Sequence, residues 1–404
     1  MSEERTASVS SEQGAEPQGK MSLPVGWEAR VCANGRVYYV NTKARTTQWE
    51  HPLTGEISKI EGTDAQLQTG DGNDNKIDEQ TLSSAVVEGK GNVDIISKFN
   101  SYSTALEVMA GKDLTGKYAI VTGSNCGIGY ETARALALHG AHVVMACRSV
   151  DRGEESANKI RAEKDSVKIR VMQLELASLK SVKAFGEEYK KTNWPIHILI
   201  LNAGIASVPF SLTEDGLEST FQVNHLGHFY LTLLLEEVLR RSSPARVVSV
   251  SSRGLQLSDL KMSNVSESKL SSPDASSHSR FSTYNKTKLC NLLFAKELNL
   301  KLARHGVTAN VLHPGGFIST NIQRHWWLSK VLFVMTKPFT KTVEQGAATS
   351  AYCAVAEELE GRGGFYFDNC QAAQPKSEAA VDPELAREVW KLSEKMLNDR
   401  GHSV

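Results

Sequence analysis
Tyr284 and Lys288 stand four residues apart in Tyr284-Asn-Lys-Thr-Lys288, a spacing that puts both on one face of a helix. A free phenol has a pKa of about 10. An adjacent ammonium stabilises the phenolate, so the pair predicts a general acid/base usable near neutrality. Spacing alone does not decide this, because Tyr39 and Lys43 repeat it where no catalytic neighbour stands. Around Tyr284 the neighbours differ. Upstream, Arg246-Val-Val-Ser-Val-Ser-Ser252 reads as an apolar strand that delivers a hydroxyl to the carboxyl edge of a sheet, where ligand sites of α/β folds lie. Asn202-Ala203-Gly204 ends another apolar run, and Asn224 lies in the helical pattern Phe221–Phe229.

A second constellation handles phosphate. The run Tyr118–Val121 leads into Thr122-Gly123-Ser124-Asn125-Cys126-Gly127-Ile128-Gly129, and a helical pattern follows at once. Glycines let the backbone turn tightly and approach a pyrophosphate, which the free N–H groups of the helix N-terminus attract. The next run, His142–Ala146, ends at Cys147-Arg148, 19 residues beyond Gly129. An acid at such a strand end holds the ribose 2′-hydroxyl of NAD, whereas an arginine accommodates the 2′-phosphate of NADP. No acid stands there, so Arg148 predicts NADP; the competing reading is a solvated loop arginine.

Positioning these groups requires alternating strands and helices. Strand-like runs at Tyr118–Val121, His142–Ala146, Ile169–Leu174, Ile196–Leu201, Arg246–Ser251 and Thr308–Leu312 alternate with helical patterns at Gly127–Leu138, Phe221–Leu239 and Tyr284–Leu302. Near-continuous apolar strands in such alternation predict an α/β, Rossmann-like, doubly wound parallel sheet covered on both faces. Its expected extent is residues 113–375, followed by a polar amphipathic helix and tail at 376–404. Ahead of it, residues 55–112 are expected as a flexible linker: from about Ile57 to Asn100 the chain loses all Trp, Tyr and most large apolar residues, and Glu61–Asp94 holds eight acids against two lysines. Residues 1–21 are Ser-, Glu- and Gln-rich and predicted disordered.

Residues 22–54 predict a small three-stranded antiparallel β module, with a turn at Asn34-Gly35. So short a segment must lean on a few large side chains. Alternation puts Tyr38 and Tyr39 on opposite faces, Tyr39 packing with Trp27 and Pro52, and Tyr38 left outside with Trp49. Exposed aromatics on a small sheet suit a polyproline II ligand. The two tryptophans 22 residues apart, Tyr38-Tyr39, Asn41, Thr46-Thr47 and Pro52 together resemble the WW domain family. That resemblance implies a proline-rich partner held by Tyr38, Thr47 and Trp49. Members that read Pro-Pro-x-Tyr peptides usually carry His where this chain has Thr42.

From about Gly116 to Phe367 the glycine motif, Asn202-Ala203-Gly204, Asn224, the serine pair and Tyr284-x-x-x-Lys288 occur in the order of the short-chain dehydrogenase/reductase family, which this segment resembles. The resemblance implies that Ser252, with Ser251 as the alternative, orients the substrate oxygen and that Tyr284 transfers the proton. Lys288 would hold the ribose and tune Tyr284, and Asn224 would anchor a water linked to Lys288. Glu175 stands where the family usually has Asp near the adenine. The Ser-rich insert Ser263–Ser279, Asn224–Phe229 and His313-Pro314-Gly315 resemble retinol-dehydrogenase-like members, which implies a bulky apolar alcohol or ketone, steroid- or retinoid-like. By the same resemblance, the region holding Phe317, Trp326–Leu328 and Val331–Met335 forms a substrate lid.

Charge excludes some roles. Lys plus Arg and Asp plus Glu are 46 each, so no basic excess predicts nucleic acid. No apolar run approaches the roughly 18–20 residues of a membrane span. The six cysteines show no paired or metal-ligand spacing, which predicts reduced thiols in the cytosol or nucleus and no bound metal. Two functions remain open: an NADP-dependent oxidoreductase whose small module selects partners, or a signalling adaptor, in growth control or apoptosis by resemblance, whose dinucleotide domain senses cofactor.

Overall fold
The computed structural model describes residues 23–25, 27–31, 37–41, 46–48, 52, 95–316 and 341–403. The chain divides into two compact units, Met1–Glu79 and Gln80–Val404.

In the first unit three short strands, β1 (Trp27–Val31), β2 (Val37–Asn41) and β3 (Thr46–Gln48), form an antiparallel sheet in chain order. Trp27 opposes Asn41, Arg30 opposes Tyr38 and Val40 opposes Thr47. Tyr38 therefore stands on the middle strand and Thr47 on the third. Trp49, Thr42 and the Asn34-Gly35 turn lie outside the described residues.

The second unit is an eight-stranded sheet built from β4 (Tyr118–Thr122), β5 (His142–Cys147), β6 (Lys168–Gln173), β7 (Ile198–Leu201), β8 (Ala245–Val250), β9 (Val307–His313), β10 (Tyr366–Asp368) and β11 (Gln371–Ala373). Their order across the sheet is β6-β5-β4-β7-β8-β9-β10-β11, and every pairing is parallel except β10 with β11. The chain winds outward from β4 to β6, then crosses to β7 and winds the other way. The switch between β4 and β7 opens a crevice at the carboxyl ends of those strands, the expected ligand position in such a sheet.

Alternation along the pleat sends side chains to two separate cores. Ile120, Val144, Leu199 and Val247 face one core, closed by α4 (Leu179–Lys191), α5 (Gly227–Arg241), α6 (Arg280–Leu302) and α8 (Pro383–Asn398). Val121, Val143, Ile200 and Val248 face the other, closed by α1 (Ala105–Met109), α2 (Gly127–Leu138), α3 (Val150–Glu163) and α7 (Val343–Val355). Each fully buried Leu, Ile or Phe contributes about 1.5–3 kcal/mol, so the apolar strands commit the sheet to this two-sided burial.

Two segments differ from expectation. Residues 95–112, read as the end of a flexible linker, pack onto the second core: Ile95, Ala105, Val108 and Met109 are buried. Thr104 starts α1 with a reciprocal capping box to Glu107, a local signal hidden behind the polar composition upstream. The helical pattern over Phe221–Leu239 is observed as a turn at Ser219–Phe221, a π-helical turn at Gln222–Leu226, and α5. Among the described residues no helix is long and apolar enough to cross a membrane.

Candidate active site
β4 ends at Thr122 and the chain reverses through Gly123, in the left-handed region at φ 64°. There its N–H donates to the Ala146 carbonyl at 2.8 Å. The turn is pinned from below. Buried Ser124 donates to the Val121 carbonyl (2.9 Å), and the Asn125 carbonyl accepts from Ser156 (2.8 Å). Cys126, exposed, is the N-cap of α2 and makes no side-chain capping bond, so the first N–H groups of α2 are left for a ligand. Gly129 cannot be replaced: a Cβ there would lie 2.4 Å from both the Asn202 side-chain nitrogen and the Gly123 carbonyl. Ile128 packs against the core beneath.

The far wall is Asn202-Ala203-Gly204, after β7. The Thr122 hydroxyl accepts the N–H groups of Asn202 (2.9 Å) and Ala203 (3.0 Å), and Asn202 donates its side-chain amide to the Thr122 carbonyl (2.9 Å). Ala203 thereby approaches Gly123 so closely that a Cβ on the glycine would sit 2.9 Å from that of Ala203. Arg148 follows β5 with its side chain 61% exposed, its Nε 3.7 Å from a carboxylate oxygen of Glu175. Glu175 comes from the end of the neighbouring strand, a proximity the sequence does not reveal. Such an exposed pair contributes little to stability, leaving the guanidinium available to a competing anion.

The serine, tyrosine and lysine come together beside this cradle. At the end of β8 the two serines part. Ser251 is buried and donates to the Lys288 carbonyl at 2.6 Å. Ser252 lies beside the Tyr284 side chain, close enough to lower the phenol pKa, and accepts the Gly254 N–H at 3.2 Å. His313, buried at the end of β9, accepts the Arg253 N–H at 3.3 Å and so braces the residue next to Ser252. One turn along α6 from Tyr284, Lys288 donates to the Val250 carbonyl at 3.0 Å, with its Nζ 5.6 Å from the centre of the Tyr284 ring. Asn224, in the π-helical turn, accepts the Ile205 N–H (2.8 Å) and donates to the Ile205 carbonyl (2.9 Å) and to Thr287 (3.1 Å). A Cβ on Gly204 would lie 3.2 Å from Asn224 Oδ1 and 3.5 Å from Lys288 Nζ.

The electrostatics correct one expectation. Burial raises the Tyr284 pKa above its ordinary value, opposed by the neighbouring Ser252 hydroxyl. Burial also lowers that of Lys288 to about 8. With its ammonium turned to the Val250 carbonyl, Lys288 does not produce the lowered phenol pKa that the i, i+4 spacing suggests. The spacing shows the neighbour; it does not show the desolvation. Sequence reasoning also missed His228, whose ring lies 2.9 Å from the Thr122 hydroxyl. Its only signal was its position four residues after Asn224.

A doubly wound sheet with a glycine turn at its switch point and Ser, Tyr and Lys at the adjoining strand and helix defines a short-chain dehydrogenase/reductase. Residues 117–272 match the short chain dehydrogenase family and residues 23–52 the WW domain. The chain is 45% identical to the WW domain-containing oxidoreductase of Gallus gallus and 43% identical to that of Homo sapiens, in each case over 94% of both chains. It therefore belongs to the family of WW domain-containing oxidoreductases, within the short-chain dehydrogenases. It is also 41% identical to retinol dehydrogenase 12 of Mus musculus, over 70% of this chain and 87% of that one. Among solved structures, an uncharacterised protein of Mycobacterium paratuberculosis is 30% identical with a TM-score of 0.57, covering 72% of this chain and 97% of that one.

Proposed function
We propose that the chain is an NADP-dependent oxidoreductase interconverting a bulky apolar alcohol and its carbonyl compound, with its WW module binding proline-rich partner peptides. The carrying observation is that Ser252, Tyr284 and Lys288 come together beside the glycine cradle, with Lys288 Nζ 5.6 Å from the centre of the Tyr284 ring. The cradle fits a dinucleotide. Gly123 and Gly129 admit no side chain, and the N-terminus of α2 is uncapped. Residues Gly123 to Gly129 and Asn202 to Gly204 would hold it, with Arg148 at the 2′-phosphate. When bound, the nicotinamide supplies or accepts the hydride.

The protein's own groups do the rest. In the reducing direction Ser252 orients the carbonyl oxygen and the Tyr284 hydroxyl donates its proton to it; in the oxidising direction the phenolate takes the proton back. A phenol held mostly protonated by burial is suited to the donating role. Lys288 would hold the ribose hydroxyls, and Asn224 anchors the chain beside it. The retinol dehydrogenase relative supports a retinoid- or steroid-like substrate, as does the resemblance of the Ser-rich insert and His313-Pro314-Gly315 to such members. The stretch read as a lid, with Phe317, Trp326–Leu328 and Val331–Met335, lies outside the described residues.

The WW match supports a second reading, in which the chain is a signalling adaptor that binds peptides through Tyr38, Thr47 and Trp49 and uses its other domain to sense cofactor. Screening the purified full chain against apolar aldehydes and ketones while following NADPH absorbance tests the enzyme reading. Oxidation of NADPH by members of that class supports it. Cofactor binding without turnover of any of them leaves the adaptor.

A further inference from the structure
His228 is buried on α5 and takes no part in the scheme above. Its two ring nitrogens have different partners: Nε2 lies 2.9 Å from the Thr122 hydroxyl and Nδ1 3.3 Å from the Asn224 carbonyl. The Thr122 hydroxyl decides which nitrogen carries the proton. A hydroxyl has two lone pairs and one hydrogen, and both lone pairs are engaged by the N–H groups of Asn202 and Ala203. Its hydrogen is then donated to His228 Nε2, which must be unprotonated. The ring proton sits on Nδ1 and is donated to Asn224. A charged imidazolium would place a second proton between Nε2 and a hydroxyl with no lone pair to spare. Burial acts the same way and, against the bond to the Asn224 carbonyl and helped by the nearby Lys288 charge, holds the His228 pKa down to about 3.

This neutral ring joins the two halves of the site. On one side Thr122 ends β4 beneath the glycine turn and holds the Asn202–Ala203 backbone. On the other, Asn224 grips both backbone groups of Ile205 and reaches Thr287, the residue before Lys288. We propose that His228, locked as the neutral Nδ1–H tautomer, is a positioning residue of the dinucleotide site: it orients the Thr122 hydroxyl under the cradle and fixes the Asn224 carbonyl beside the catalytic helix. The proposal rests on the dinucleotide reading given under Proposed function.

Two measurements on the full chain test it. In the first, ¹⁵N imidazole spectra, with the His228 signals assigned by their loss in His228→Gln, should show protonated Nδ1 and bare Nε2, unchanged between about pH 5 and about pH 9. In the second, NADPH affinity by fluorescence titration should fall about tenfold in His228→Phe, which leaves the Thr122 hydroxyl and Asn224 carbonyl without their buried partner. His228→Gln, which keeps a polar group near Nε2, should recover most of that loss, and Thr122→Val should add little to His228→Phe. A purely packing role would lower the melting temperature of both variants without this split in affinity. A protonated Nε2, a titration within that range, or a folded His228→Phe with unchanged affinity overturns the proposal. Should His228→Phe not fold, the tautomer and His228→Gln decide. Failure of the wild type to bind NADPH or NADH overturns the dinucleotide reading itself, which altered behaviour confined to the His228 variants would not.

Discussion
Ser251 donates its hydroxyl to the Lys288 carbonyl at 2.6 Å, and this bond separates the roles of two adjacent serines. Because Ser251 is committed to the backbone of α6, Ser252 is the one whose hydroxyl acts on Tyr284. Ser252→Ala should therefore lower turnover by about 10²-fold or more, the scale of losing one polar group aimed at the reacting oxygen, with little change in melting temperature. Ser251→Ala should do the reverse, costing about 1 kcal/mol of stability for a lost buried hydrogen bond. Steady-state rates and urea melts of the two variants check this; a larger rate loss in Ser251→Ala would exchange the assignments.

Arg148 and Glu175 compete in the cofactor reading. Arg148→Asp replaces a partner for the 2′-phosphate with a repelling charge beside Glu175, so NADPH affinity should fall far more than NADH affinity. Glu175→Gln should tighten NADPH binding modestly, since it releases the guanidinium from a carboxylate 3.7 Å away. Titrating both cofactors against all three proteins measures this, and an unchanged preference in Arg148→Asp removes that residue from the site.

Lys288 gives the fold a pH dependence of known sign. Its pKa falls from 10.5 in the unfolded chain to about 8 in the folded one. Between those values the unfolded chain binds the extra proton, so stability contributed by this group rises with pH across the window. Relative to Lys288→Met, the wild type should gain roughly 1–3 kcal/mol between about pH 7.5 and about pH 9.5. Urea melts of both proteins at the two pH values report the difference. Parallel changes would mean that Lys288 is not desolvated as described.

In the small module the two tryptophans should part company. Trp27 pairs across the sheet with Asn41 and is half-buried, so Trp27→Ala should unfold the module. Trp49→Ala should leave it folded and abolish binding of a Pro-Pro-x-Tyr peptide. Thr42→His should tighten that binding. Circular dichroism and calorimetry on the full chain and its variants distinguish the roles, which would be exchanged if Trp49→Ala unfolded the sheet.

Much of this arrangement is legible in the chain because the relevant signals are local. β4, β5, β8 and β9 are rich in apolar and β-branched residues, and the glycine turn and Tyr-x-x-x-Lys each lie within one short segment. Helices α3 and α4 are harder to see: α3 buries only Gly153, Ser156, Ala157 and Ile160 among charged residues, too weak a stripe to stand out. The Thr122–His228 bond spans 106 residues, and no local pattern announces it. The raised phenol pKa of Tyr284 escaped for a different reason. A charged neighbour can be read from spacing, but desolvation depends on what the whole fold excludes.

The central claim is that proton transfer by Tyr284 is the chemistry of this site, and Tyr284→Phe tests it most directly. The substitution keeps the ring and its packing and removes only the hydroxyl beside Ser252. Measured as NADPH-dependent turnover of a carbonyl substrate found in the screen, the variant should lose about 10²- to 10⁴-fold while its melting temperature and NADPH affinity stay close to those of the wild type. Full turnover in folded Tyr284→Phe would contradict the account.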